Sequence, residues 1–291
     1  MSDSKSSNET GVPSELPHAD HDSTTETTGP KSSPEYRAPG HWLLAKMGKR
    51  VLRPGGLGLT KQLLAALAVG AEDRVVELGP GIGRTAELLL AEPYRSYRAV
   101  EANEQASQDL VDLLAKHHDT AVAHGDARET GLPSESADVV VSEAMLTMQS
   151  AADKEKIAQE AWRVLAPGGR WGIHELSFRP DDLDPQISNE VAKELSRTIK
   201  VGARPLTEKD WLAMFTAIGF EVQWVGQADM RLIEPSRVIA DEGFSGALRF
   251  FNNVRRNPEA RKRILRMRKV FRTHRRNLAA IGAVLVKPLA D

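Results

Sequence analysis

One short run constrains this chain more than any other feature. Val75-Val76-Glu77-Leu78 is apolar apart from Glu77 and partly β-branched, and Gly79-Pro80-Gly81-Ile82-Gly83 follows it at once. Helical spacing resumes at Arg84. Glycines at 79, 81 and 83 let the backbone bend sharply and leave no side chain in a ligand's way. A lone G-x-G is a weak signal. It gains weight when a strand precedes it, a helix follows it, and an acid stands about twenty residues on. Glu101, in Ala99-Val100-Glu101-Ala102-Asn103, occupies that place at the end of the next predicted strand. A carboxylate there accepts both ribose hydroxyls of a nucleoside.

The flanking sequence extends this unit into a sheet. Strands are predicted over 74–78, 97–101, 120–123, 137–142, 170–176, 220–225 and 281–287. Helices are predicted between them over 84–91, 104–117, 153–165 and 207–218, the last capped by Thr207. Two further helices, 41–52 and 60–69, precede the first strand, with Thr60 as the expected cap of the second. Alternation of this kind implies an α/β fold with a doubly wound, mostly parallel, seven-stranded sheet. The Val-rich strand 137–142 suits a position buried on both faces. Residues 227–279 read as a helical insertion between the sixth and seventh strands, and this is the expected substrate lid.

Composition narrows the alternatives. The chain has 291 residues, 41% of them hydrophobic and 27% charged, with a formal net charge of −1. It has no cysteine, which excludes disulfides, cysteine metal sites and thiol nucleophiles and suits a reducing cytoplasm. No apolar run reaches the length of a membrane span. Residues 1–36 are rich in Ser, Thr, Pro and acids, so they read as a disordered, mildly acidic tail. The folded domain is placed at 37–291. Within it, 249–276 is strongly basic, with Ile264, Leu265, Met267 and Phe271 interleaved. That pattern fits a solvated helix face, or an amphipathic helix touching anionic lipid or nucleic acid.

The glycine turn departs from the dinucleotide fingerprint. Its third glycine comes one position early, and the strand ends in an acid, Glu77, where a pyrophosphate would be repelled. Glu77 to Gly83 instead resembles motif I of the class I S-adenosylmethionine-dependent methyltransferases. Glu101 resembles that family's ribose-binding acid, and Gly125-Asp126-Ala127 the segment contacting adenine. Asp138 to Glu143 resembles motif IV, and Leu165 to Arg170 the turn before strand five. The resemblance spans about 70–176, and the final strand, antiparallel in that family, fits it too. It implies S-adenosylmethionine as cofactor. Glu77, Leu78, Gly79, Pro80, Gly81, Gly83, Glu101, Ala102, Asp126, Ala127 and Ser142 are then expected around it, with 57–67 covering it. Glu77 suits the cationic amino group of the cofactor's methionine part.

Methyl transfer from a sulfonium is an in-line displacement, so the protein mainly aligns the partners and supplies a base if one is needed. Candidates should lie at the carboxyl ends of the strands. Glu143 either binds a substrate cation, takes a proton, or is a carboxylate held behind the site. Of His174-Glu175, alternation lets only one reach the cleft. His41 and Trp42 reach toward it from the first helix. No metal-binding spacing occurs. The expected acceptor is a small, partly apolar organic molecule. The alternatives are RNA held by the basic insertion and a non-catalytic binding protein, and peripheral membrane contact through the insertion remains open.

Overall fold

The computed structural model describes residues 39–289, so the tail expected over 1–36 lies outside the described residues. Helices α1 (Gly40–Lys46) and α2 (Gly56–Leu67) lead into the sheet. There follow β1 (Arg74–Leu78), α3 (Arg84–Leu89), β2 (Ser96–Glu101), α4 (Glu104–Leu114), β3 (Thr120–His124) and β4 (Ala137–Glu143). Then come α5 (Ala151–Val164), β5 (Leu165–Phe178), α6 (Pro185–Ile199), β6 (Leu206–Thr207), α7 (Glu208–Thr216) and β7 (Glu221–Asp229). The described chain ends with α8 (Pro235–Arg256), α9 (Pro258–Thr273) and β8 (Leu278–Val286).

The sheet runs β3-β2-β1-β4-β5-β8-β7, with the two-residue β6 pairing on β5 as an eighth strand. β8 is antiparallel to both of its neighbours, β5 and β7, and the other pairings are parallel. Alternation divides the strand side chains between two cores. Val76 and Val140 point to one face, where Ile157, Ala161, Trp211 and Phe215 of α5 and α7 cover them. Val75, Val139 and Val141 point to the other, against Leu63 and Leu67 of α2 and Leu89 of α3. A third core joins α1, α6, α8 and α9 over the ends of β5 and β8.

Several expectations change. The first helix stops at Lys46, and Gly48 follows with φ 96°. The second helix begins at Gly56 rather than Thr60, whose side chain is buried and used elsewhere. The expected turn 165–169 is absorbed into β5, across an irregularity in its pairing with β4. The insertion narrows to 230–277, because β7 runs on to Asp229 and pairs there with Ala279. Helix α6 is an addition. Asp184 caps it by accepting from the Gln186 N–H, Pro185 opens it, and Val191, Leu195 and Thr198 form its buried stripe.

Candidate functional site

The glycine turn sits at the carboxyl end of β1, in the middle of the sheet. The Gly79 N–H donates to the Val100 carbonyl at 2.8 Å, which stitches the turn to β2. Gly81 has φ 57°, and a Cβ built there would meet nothing within 4 Å. That open face borders a cavity of about 470 Å³. The Glu101 carboxylate clasps the turn from the other side. One oxygen accepts from the Gly81 N–H and the other from the Asn103 N–H, both at 2.8 Å. An ionised carboxyl offers about four acceptor positions, so capacity remains for hydroxyl donors.

Glu77 also borders the cavity and is buried. The Tyr97 hydroxyl donates to it at 2.5 Å. Burial raises its carboxyl to about 8, with nearby Glu143 adding to the effect against the Tyr97 bond, so Glu77 holds a proton near neutrality. Pro80, Ala102, Asp126 and Ala127 line the same cavity. The Asp126 carboxylate is taken up by Arg128, which accounts for its depressed pKa and joins it to Asp153. The adenine contact expected of Asp126 thus competes with an ion pair.

Three expected cofactor residues serve the frame instead of the cavity wall. Leu78 is buried in the sheet core. Gly83 caps α3 with φ 75°, and a Cβ there would come within 2.9 Å of Leu110 and Leu113. The Ser142 hydroxyl accepts from the Trp171 indole N–H at 3.1 Å, on the far face of β4. Helix α2 likewise packs against the sheet. The cavity is covered by α1 and the 50–54 segment, whose His41, Trp42, Arg50, Arg53 and Pro54 line it.

Glu143, at the end of β4, is a hub. Thr60 donates to it at 2.8 Å and His174 Nδ1 lies 3.0 Å away. Arg53 and Thr85 bond its other oxygen. Burial pushes this carboxyl up, but the Arg53 guanidinium, His174 and Thr85 outweigh it and hold the pKa at about 2. It therefore stays ionised near neutrality, and it stands in the cavity wall. Neither His174 nor Glu175 reaches the cavity. His174 is fully buried between Glu143, Thr60 and the Pro54 carbonyl, 2.6 Å from Nε2. Glu175 accepts from the backbone N–H groups of Met145, Leu146 and Thr147 and from the Thr147 hydroxyl. It fixes the loop after β4, which carries Met145 and Thr147 into the cavity wall.

The far half of the cavity is apolar. Leu195 and Ile199 come from α6, Met267 and Phe271 from α9, and Met230 and Leu232 from the segment after β7. Sequence reasoning missed Arg53, Thr60 and Thr85 as partners of Glu143. Only the Pro54-Gly55-Gly56 break beside Arg53 marked that stretch as irregular. For α6 the signal was present, as Asp184-Pro185 followed by an apolar spacing at Val191, Leu195 and Ile199.

Residues 76–173 match a family model described as a methyltransferase domain. A Haemophilus influenzae protein without an assigned function is 31% identical over 235 residues, covering 80% of this chain and 91% of its own length. The fold is shared with the [4+2]-cyclase SpnF at a TM-score of 0.63 and 16% identity, over 87% of this chain and 98% of that one. It is also shared with Haemonchus contortus phosphoethanolamine N-methyltransferase 2, solved with S-adenosyl-L-methionine, at a TM-score of 0.62 and 16% identity, over 86% of this chain and 57% of that one.

Proposed function

The chain belongs to the class I S-adenosylmethionine-dependent methyltransferases, and from that premise we propose that it methylates a small, partly apolar organic molecule. The residues fit the cofactor. Gly81 leaves room for close backbone approach, Glu101 retains acceptor capacity for ribose hydroxyls, and Glu77 is a carboxyl able to ionise against an ammonium group. S-adenosylmethionine, when bound, supplies an activated methyl group.

The observation that carries the acceptor reading is the cavity's far wall. Side chains from α1, α6 and α9 enclose it and are almost wholly apolar. Such a wall excludes water and orients a compact ligand by shape. Glu143 at the end of β4, bonded to Arg53, Thr60, Thr85 and the buried His174 of β5, fixes the geometry of this end of the site. His41, whose pKa burial lowers, lines the cavity as a neutral imidazole able to accept a proton from an acidic acceptor. A cytoplasmic setting accords with the absence of cysteine. No described helix is long and apolar enough to cross a membrane.

The test is incubation of the protein and a cell extract with methyl-labelled S-adenosylmethionine. Label in a low-mass, organic-soluble fraction is the expected result. Label confined to RNA or protein would refute the small-molecule acceptor.

A further inference from the structure

The outer face of the helical insertion does not behave like an ordinary solvated surface. On α8, Phe244, Leu248 and Phe251 stand at helical spacing, and Phe244 and Leu248 are 77% and 62% exposed. On α9, Leu265 is 54% exposed. Cations surround these side chains in sequence: Arg255 and Arg256 at the end of α8, then Arg261, Lys262, Arg266 and Lys269 on α9, all exposed. The side chains of these six carry no ion pair or hydrogen bond with the described residues. Arg268 and Arg272, by contrast, are paired with Glu234.

The inner faces of the same helices explain why the outer pattern is not needed for packing. Val238, Ala247 and Phe250 of α8 and Ile264, Met267 and Phe271 of α9 fill the third core. The fold is therefore satisfied without the outer residues. An exposed aromatic–aliphatic stripe flanked by unpaired cations suits a surface that is anionic outside and apolar just beneath.

We propose that the outer face of α8 and α9 docks peripherally on an anionic lipid membrane. Phe244, Leu248 and Phe251 enter the boundary between headgroups and acyl chains, and the cations of α9 face the headgroups. Nucleic acid fits the charges but gains nothing from Leu248 or Leu265. The assignment does not depend on which molecule accepts the methyl group.

The test is co-sedimentation of the full chain with vesicles of phosphatidylcholine alone or mixed with phosphatidylglycerol. Binding is expected only to the mixed vesicles, and to weaken as salt rises. Phe244→Ser with Leu248→Ser should weaken it about tenfold. Arg261→Glu, Lys262→Glu and Arg266→Glu together should weaken it about a hundredfold or more. All five positions are exposed, and unchanged calorimetric binding of S-adenosylmethionine by each variant verifies that the fold survives. No binding to mixed vesicles at low salt overturns the proposal. So does vesicle binding indifferent to the Phe244 and Leu248 changes, or salt-sensitive RNA retention with no vesicle binding.

Discussion

Binding of S-adenosylmethionine should expel a proton from Glu77. The carboxyl is buried and its pKa is raised to about 8, so in the unliganded protein at about pH 7 roughly nine-tenths of it is protonated. A cationic amino group brought beside it favours the ionised form. A fall in its pKa of about two units or more would release most of one proton per cofactor bound. Calorimetry in buffers of different ionisation enthalpy measures this directly, since the slope of observed enthalpy against buffer enthalpy is the number of protons exchanged. The expected release is about 0.8 near pH 7, falling to about a tenth near pH 9, where Glu77 has already ionised. Glu77→Gln should abolish the release and weaken binding. It should also stabilise the empty protein. A carboxyl raised on folding contributes stability below its ordinary range near 4.5, and that stability is lost as pH rises through about 8. A buffer-independent enthalpy for the wild-type protein near pH 7 would show that Glu77 is already ionised or is remote from the cofactor's charge.

Three further outcomes follow from the same geometry. Glu143→Gln should cost about 3 kcal/mol at pH 7, because the pKa held at about 2 lies well below the usual carboxylate value and the side chain is nearly inaccessible. That stability is present above about 4.5 and lost as pH falls toward about 2, so urea titrations should find the gap narrower by about 1 kcal/mol at pH 4 than at pH 7. Gly81→Val and Gly83→Val should separate binding from folding: the first meets open space and should abolish cofactor binding at a strain cost of about 1–2 kcal/mol. The second drives into Leu110 and Leu113 and should lower the melting temperature more than it alters affinity. Glu242→Gln removes the carboxylate that accepts from the Arg50 and Val51 N–H groups and faces buried Lys49, so the 50–54 cover should loosen and the acceptor's KM should rise more than kcat falls.

The glycine-turn half of the cavity was legible because backbone conformation defines it. Three glycines between a strand and a helix, and an acid at the next strand end, are local patterns that the sheet topology places together. The neighbours of Glu143 were not legible. Arg53 lies 90 residues earlier in the chain and Thr85 lies 58 residues earlier, and neither carries a local mark of its role. Strand alternation limited the reach of His174 and Glu175, but it could not show that both would be absorbed by other buried partners, Glu143 and the 145–147 backbone. The boundary of the insertion was misplaced for a related reason. Pairing with β8 extends β7 through Gly226-Gln227-Ala228-Asp229, a mixed run with no strand pattern of its own.

The attachment of the helical insertion has a consequence for how this protein can vary. Both of its feet are rungs of one ladder, Asp229 opposite Ala279, so the chain leaves the sheet and returns to it at adjacent points. Closing a loop between fixed neighbouring ends costs only slowly more as the loop grows. The intervening chain can therefore change in length without altering strand register, provided that Asp241 and Glu242 of α8 keep their hold on Lys49, Val51 and Leu57. In that sense one pair of rungs carries both the apolar cavity wall of α9 and the exposed stripe of α8, so a change in either helix is felt at the cavity and at the outer surface together.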